Sequence, residues 1–206
     1  MPEPDFPPLL EKNLDPDPIK QFQRWFNEAV AAKIPQAESM ALATSTADRK
    51  PSVRMVLLKS FDSNGFVFYT NYNSQKGKEL VENPYAALVF YWEELHHQVR
   101  IEGAVSKVSP EESDAYFQTR PREAQISAHT SQQSEAIASR GELDRHFEEL
   151  QKKYEGRPIP RPPHWGGYRL KPTRFEFWQA RYARLNDRIL YELQKNGRWS
   201  MKRLAP

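Results

Sequence analysis

Between residues 17 and 33 the apolar positions fall at helical spacing. Ile19, Phe22, Phe26, Ala29 and Val30 line one face, behind an Asp17-Pro18 pair that supplies a cap and a first-turn proline. From residue 39 the pattern changes. Residues 40–46, 52–60 and 66–72 are rich in β-branched and aromatic side chains and predict strands. Asp62-Ser63-Asn64-Gly65 predicts a hairpin turn between the last two, with Gly65 free to take positive φ. Ser74 caps a short predicted helix that stops before Asn83-Pro84, and residues 86–92 and 98–108 predict two further strands. Ser109-Pro110-Glu111-Glu112 has the spacing of a capping box and opens a helix reaching about Arg120. Helical segments around 125–128 and over 142–155 follow, the last ended by Gly156. Beyond a proline-rich connector at 157–165, strands are expected at 167–170, 175–178, 189–193 and 199–203, the last two joined at Asn196-Gly197. Five early strands on short connections predict a closed or nearly closed antiparallel barrel. The expected class is mainly β with α additions. Residues 1–16 lack periodicity and read as a flexible arm ahead of a single domain over 17–206.

Composition narrows the picture. No run approaches the roughly 18 apolar residues needed to span a bilayer, and residues 1–10 carry acids and prolines where a signal peptide has lysines and an apolar run. A cytoplasmic location without membrane association is therefore expected. With no cysteine, disulfides, thiolate metal sites and a cysteine nucleophile are excluded. Thirty basic against 27 acidic residues leave a net charge of +3, and the most basic stretch, 157–184, is punctuated by Pro158, Pro160, Pro162 and Pro163. Local anion binding fits this better than a nucleic-acid track.

The common catalytic signatures are missing. The sequence has no glycine-rich dinucleotide turn, no phosphate loop of the G-x-x-x-x-G-K type and no G-x-S-x-G elbow. The adjacent His96 and His97 point to opposite faces of a strand, so no metal site is expected. Arginine, lysine, glutamine, serine, tyrosine and tryptophan at strand ends are suited to gripping phosphate and stacking on a planar ring. Redox chemistry would then fall to a bound cofactor.

Four segments carry a family resemblance: Arg54-Met55-Val56-Leu57-Leu58-Lys59; Phe68-Tyr69-Thr70-Asn71; the run from Tyr116 through Arg120-Pro121 to Gln132-Gln133-Ser134; and Trp165-Gly166-Gly167-Tyr168 through Phe177-Trp178-Gln179 to Arg184-Leu185-Asn186-Asp187-Arg188. Together with the terminal Arg203-Leu204-Ala205-Pro206 they resemble the pyridoxine/pyridoxamine 5′-phosphate oxidase family in its order, from about Asp17 to the last residue. The resemblance implies a six-stranded antiparallel split β-barrel, a homodimer, and FMN at the subunit interface. It also implies oxidation of pyridoxamine or pyridoxine 5′-phosphate to pyridoxal 5′-phosphate, with O2 as acceptor. Its implied cofactor contacts are Arg54, Met55, Val56, Leu57, Leu58 and Lys59, then Tyr69, Thr70, Gln75 and Lys76, then Gln98, Gln133, Ser134, Trp178 and Arg188. Its implied substrate contacts are Lys59, Tyr116, Arg120 and Ala124, with Arg184 and Asn186 next to the chemistry.

Three positions depart from the family's usual residues: Gln75 for an arginine, Ala124 for a serine and Asn186 for a histidine. Weaker binding of FMN and substrate is expected from them. A phenazine-biosynthesis type of flavin oxidase, and a flavin-binding barrel without oxidase activity, are the competing expectations.

Overall fold

The computed structural model describes residues 7–206. Strands β1 (Ser39–Ser45), β2 (Pro51–Leu57), β3 (Ser60–Asp62), β4 (Gly65–Asn71) and β5 (Tyr85–Trp92) come first in the chain. Strands β6 (His97–Lys107), β7 (Trp165–Gln179), β8 (Asp187–Leu193) and β9 (Trp199–Arg203) follow. They form one sheet in the order β2-β1-β5-β6-β7-β4-β3, with β8 and β9 continuing from β7. Every pairing is antiparallel. The ends of that order, β2 and β3, are joined through Leu58-Lys59, so the sheet must curl until its two margins meet. At the meeting point Leu58 N–H donates to the Glu38 carbonyl and Lys59 N–H to the Val67 carbonyl, both at 2.9 Å. With β2 and β3 as one kinked wall, the barrel has the expected six walls, closed at this corner and split between β2 and β4.

The local chemistry explains the corners. Gly65 sits at φ +128°, and a Cβ there would lie 2.1 Å from the Leu170 carbonyl oxygen, so only glycine turns β3 into β4 beneath β7. The two late strands expected at 167–170 and 175–178 are one strand, β7. Its first half pairs with β4, its second half with β8, and β6 lies along both. Pro172 does not break it because a bulge at Glu102/Gly103 absorbs the irregularity.

Helix α1 (Pro18–Ala31) is capped by Asp17, whose carboxylate accepts from Ile19 N–H at 2.9 Å. Its buried face is Phe22, Trp25 and Ala29; Trp25 replaces Val30, which is 54% exposed. Phe22 meets Phe61, Phe66 and Phe90 with centroids 4.9 Å apart, while Trp25 stacks on His97 at 3.8 Å. Helix α2 (Gln75–Glu82) is capped by Ser74, and α3 (Pro110–Thr119) by Ser109. The capping box at Ser109 is only half made, since the Glu112 carboxylate binds Arg169 at 3.0 and 3.2 Å. Helices α4 (Arg122–Thr130) and α5 (Arg140–Lys153) complete the insertion, and Phe117, Ile126, Ile159 and Trp165 form a second small core beneath them.

Of the arm expected over 1–16, residues 1–6 lie outside the described residues. Residues 7–16 pack on the barrel: Leu9 and Leu14 are buried, and Tyr191 Oη donates to the Asp15 carbonyl at 2.8 Å. Among the described residues no helix is long and apolar enough to cross a membrane.

Candidate active site

The split between β2 and β4 opens into a cavity of about 430 Å³. Strand β2 and the corner contribute Met55, Val56, Leu57 and Lys59; β4 contributes Tyr69, Thr70 and Asn71. Lys76 enters from α2, Tyr116 from α3 and Arg120 from its C-terminal end. Ser127 lies on α4, with Ser131 and Gln133 just beyond it. Ten of the expected contacts therefore meet here, from segments up to 78 positions apart (Met55 to Gln133).

Three cations line this cavity, Lys59, Lys76 and Arg120, and none has a carboxylate partner among the described ion pairs; Lys59 is exposed, whereas the other two are withdrawn from solvent. Lys76 is 8% exposed, and its ammonium donates only to neutral oxygens: Gln133 Oε1 at 2.9 Å, Thr70 Oγ1 at 3.2 Å and Ser74 Oγ at 3.3 Å. Burial brings its pKa down to about 8, with the charge of Arg54 adding to the effect. The other withdrawn cation is Arg120. Its Nη1 is buried with no hydrogen-bond partner, and burial lowers its pKa as well. Unsatisfied buried donors are rare, so an anion is the natural complement of both groups. Tyr69 and Tyr116 stack beside Arg120 with centroids 3.9 Å apart. Burial pushes the Tyr69 phenol up to about 12 and raises Tyr116, so both stay neutral donors near pH 7. Gly167 makes room for this packing, because a Cβ there would sit 2.8 Å from Tyr69 Cε1.

The remaining expected contacts lie elsewhere in the chain. Arg54 points at Glu79: its Nη2 lies 3.2 Å from Glu79 Oε2 and 2.6 Å from Ser52 Oγ, and Nη1 also donates to Thr44 Oγ1. Gln75 Nε2 donates to the same carboxylate at 2.9 Å. Burial would raise Glu79, but hydrogen bonds from Thr44, Ser52, Gln75 and Arg54 outweigh it and hold the pKa at about 2. Leu58 is buried in the main core, 5% exposed. Ser134 faces the neighbouring hollow between the 131–138 loop and α5. Ala124 does not line the cavity, whereas Ser127, one helical turn on, does.

Gln98, Trp178 and Arg188 form a row across β6, β7 and β8, since Gln98 pairs with Trp178 and Trp178 with Arg188. They lie on the face opposite the buried Phe175 and Phe177. Arg188 Nε donates to the buried Glu176 at 2.8 Å, and Arg100 reaches the same carboxylate at 3.0 Å. Arg184 and Asn186 sit in the turn before β8, where Arg184 is exposed at φ +61° and Asn186 Oδ1 accepts from Arg181 N–H at 3.1 Å. None of this second group lines the cavity of its own chain. The open margin near the split is apolar, with Val53 68% and Met55 63% exposed on β2, and Leu185 before β8 is 68% exposed.

Asn71, Ser127, Ser131 and Trp165 line the cavity without having been singled out as contacts. Asn71 and Trp165 stood inside quoted motifs, whereas Ser127 and Ser131 carried only an i, i+4 spacing that many helix surfaces share.

A barrel split along one seam, with unneutralised cations in the seam and exposed apolar side chains on its margin, is built as an anion-binding barrel. Comparison with known proteins gives that class its family. A model described as "Pyridoxamine 5'-phosphate oxidase" matches residues 26–154, and one described as "Pyridoxine 5'-phosphate oxidase C-terminal dimerisation region" matches residues 165–206. The chain belongs to the pyridoxamine 5′-phosphate oxidase family. It is similar to a pyridoxine/pyridoxamine 5'-phosphate oxidase from Trichormus variabilis, 56% identical over 96% of this chain and 92% of that protein. One from Rubrobacter xylanophilus is also 56% identical, over 96% and 91%. Among solved structures, PhzG from Burkholderia lata 383 in complex with tetrahydrophenazine-1-carboxylic acid matches with a TM-score of 0.92 at 33% identity, covering 98% of both chains.

Proposed function

We propose that this protein is an FMN-dependent oxidase that converts pyridoxamine or pyridoxine 5′-phosphate to pyridoxal 5′-phosphate with O2 as acceptor, working as a homodimer. The observation that carries this reading is that two unneutralised cations withdrawn from solvent, Lys76 and Arg120, share one cavity. Two phosphate-bearing ligands, cofactor and substrate, account for both.

On this reading Lys76, Thr70, Gln133 and Ser134 hold the FMN phosphate, and Met55, Val56 and Leu57 flank the ring system. Arg54 supports them from behind, since Glu79 already engages it and Gln75 donates to that same carboxylate. The expected loss of one contact at Gln75 thus leaves Lys76 as the main charge. Lys59, Tyr116 and Arg120 take the substrate phosphate, and Ser127 stands in for the hydroxyl that Ala124 lacks. Gln98, Trp178 and Arg188 belong to the cavity of the partner protomer, as do Arg184 and Asn186. That assignment is supported by the exposed apolar margin and by the match of 165–206 to a dimerisation region. Arg184 orients the pyridine ring, and Asn186 offers hydrogen bonds but no positive charge. When bound, FMN accepts two electrons from the substrate carbon bearing the amine or alcohol and passes them to O2.

A phenazine-type activity has one observation in its favour, the close structural likeness to PhzG. The phosphate-suited group Lys59, Tyr116 and Arg120 favours the vitamer. The purified holoprotein is expected to be yellow, and anaerobic pyridoxamine 5′-phosphate should bleach the flavin band with one pyridoxal 5′-phosphate formed per FMN. Bleaching by a reduced phenazine carboxylate alone would favour the other activity, and a protein that cannot be loaded with FMN would end both.

A further inference from the structure

Arg120 has no carboxylate beside it, yet its guanidinium is not loose. Its central carbon lies 4.5 Å from the centroid of the Trp165 ring and 5.7 Å from that of Phe117. Trp165 is 7% exposed and is fixed on all sides. It opens β7 opposite Asn71, and its carbonyl accepts from Arg161 Nη1 at 2.7 Å, while Arg161 Nε is held by Asp114 at 2.6 Å. Its ring is within 13° of parallel to Tyr69, at 5.4 Å, and within 7° of parallel to Tyr116, at 6.2 Å.

We infer that Trp165 is a positioning residue that orients Arg120 toward the substrate phosphate while leaving its charge unspent. The inference rests on the oxidase reading above. Two kinds of partner can hold an arginine in place. A carboxylate does so by hydrogen bonds that use its N–H groups and cancel its charge, as Glu79 does to Arg54. An aromatic face attracts the cation through the ring quadrupole and leaves the N–H groups at its edge free. The unpartnered, buried Nη1 of Arg120 is that free edge. Trp165 thereby favours phosphorylated substrates without touching the reacting carbon.

The test uses FMN-loaded enzyme and steady-state oxidation of pyridoxamine 5′-phosphate. Trp165→Leu is expected to raise KM about tenfold with kcat within about twofold, the size expected of a desolvated cation–π contact. Trp165→Phe, which keeps an aromatic face, should hold KM within about threefold of wild type. FMN affinity, read by flavin fluorescence, should move less than about twofold in both. Because Trp165 acts through Arg120, Trp165→Leu should add less than about twofold in an Arg120→Leu background. An unchanged KM in Trp165→Leu would overturn the inference. So would losses in kcat and FMN affinity that track the KM change, or effects that multiply in the double variant. If Trp165→Leu does not fold, Trp165→Phe in the two backgrounds decides: a KM change that vanishes without Arg120 supports the inference, and one that persists overturns it. A wild-type holoenzyme inert toward pyridoxamine 5′-phosphate is a different result, since it strikes the oxidase reading itself.

Discussion

Two regions of this molecule are rich in positive charge, and they treat it in opposite ways. On the outer face of β6, β7 and β8, Arg100 and Arg188 converge on the buried carboxylate of Glu176. In the seam between β2 and β4, Lys76 meets only neutral oxygens, and Arg120 rests on aromatic rings. In the first arrangement two arginines share one carboxylate, which anchors Arg188 without fully cancelling the pair's charge. The second leaves its cations waiting for an anion. An arginine count would not separate the two regions; whether each cation already has a carboxylate does. Arg54 shows the distinction at close range, because it lies next to a cavity-lining strand position yet is engaged by Glu79.

The largest expected effect falls on Arg120. Arg120→Leu should raise KM for the phosphorylated substrate by about 100-fold, because a charge-assisted, potentially bidentate phosphate contact is lost. FMN affinity should hardly move. If FMN affinity falls as KM rises, the cavity cannot be divided into a substrate end and a cofactor end.

Lys76→Met comes next and reverses the pattern. Its FMN dissociation constant should rise about 10- to 100-fold, the range for removing a hydrogen bond to a charged group. The pH profile sharpens this. With the Lys76 pKa brought down to about 8, the ammonium is present below that value and is lost above it. Wild-type FMN affinity should therefore weaken as pH rises through 8, and Lys76→Met should lack that slope. A slope unchanged in the variant would assign the titration to another group.

The smallest effect is reserved for Ser127. Its replacement by alanine should raise substrate KM about threefold, the worth of one neutral hydrogen bond. Ala124→Ser, one turn away and off the cavity wall, should matter less. A larger effect at 124 than at 127 would mean that α4 turns a different face to the substrate.

Most of the fold was legible from pattern alone, because strand alternation, the Gly65 turn and the Ser74 and Ser109 caps are local signals. What stayed hidden was long-range. Pro172 reads as a strand breaker, and only the bulge opposite it at Glu102/Gly103 shows why β7 runs on. Trp25 and Val30 are both apolar on a helix that admits either face, and the barrel's aromatic end chose Trp25. The residue types of the site were legible, but their states were not. Nothing between Arg54 and Glu79 in the sequence says that a helix will carry that carboxylate back across 25 residues to neutralise the arginine. Likewise nothing in the Trp165-Gly166-Gly167-Tyr168 motif says that the tryptophan ring will lie against the Arg120 guanidinium.

The claim on which the rest depends is that one protomer's seam is completed by its partner's β8 row. Mixing Lys76→Met and Arg188→Leu protomers, each deficient in FMN binding alone, tests it directly. In an equimolar random mixture half the dimers are mixed, and each mixed dimer holds one site with Lys76 and Arg188 both intact. Roughly a quarter of wild-type flavin-loaded activity should return. If Lys76 and Arg188 served the same chain, every site would carry one defect, and the mixture would stay as inactive as its parents.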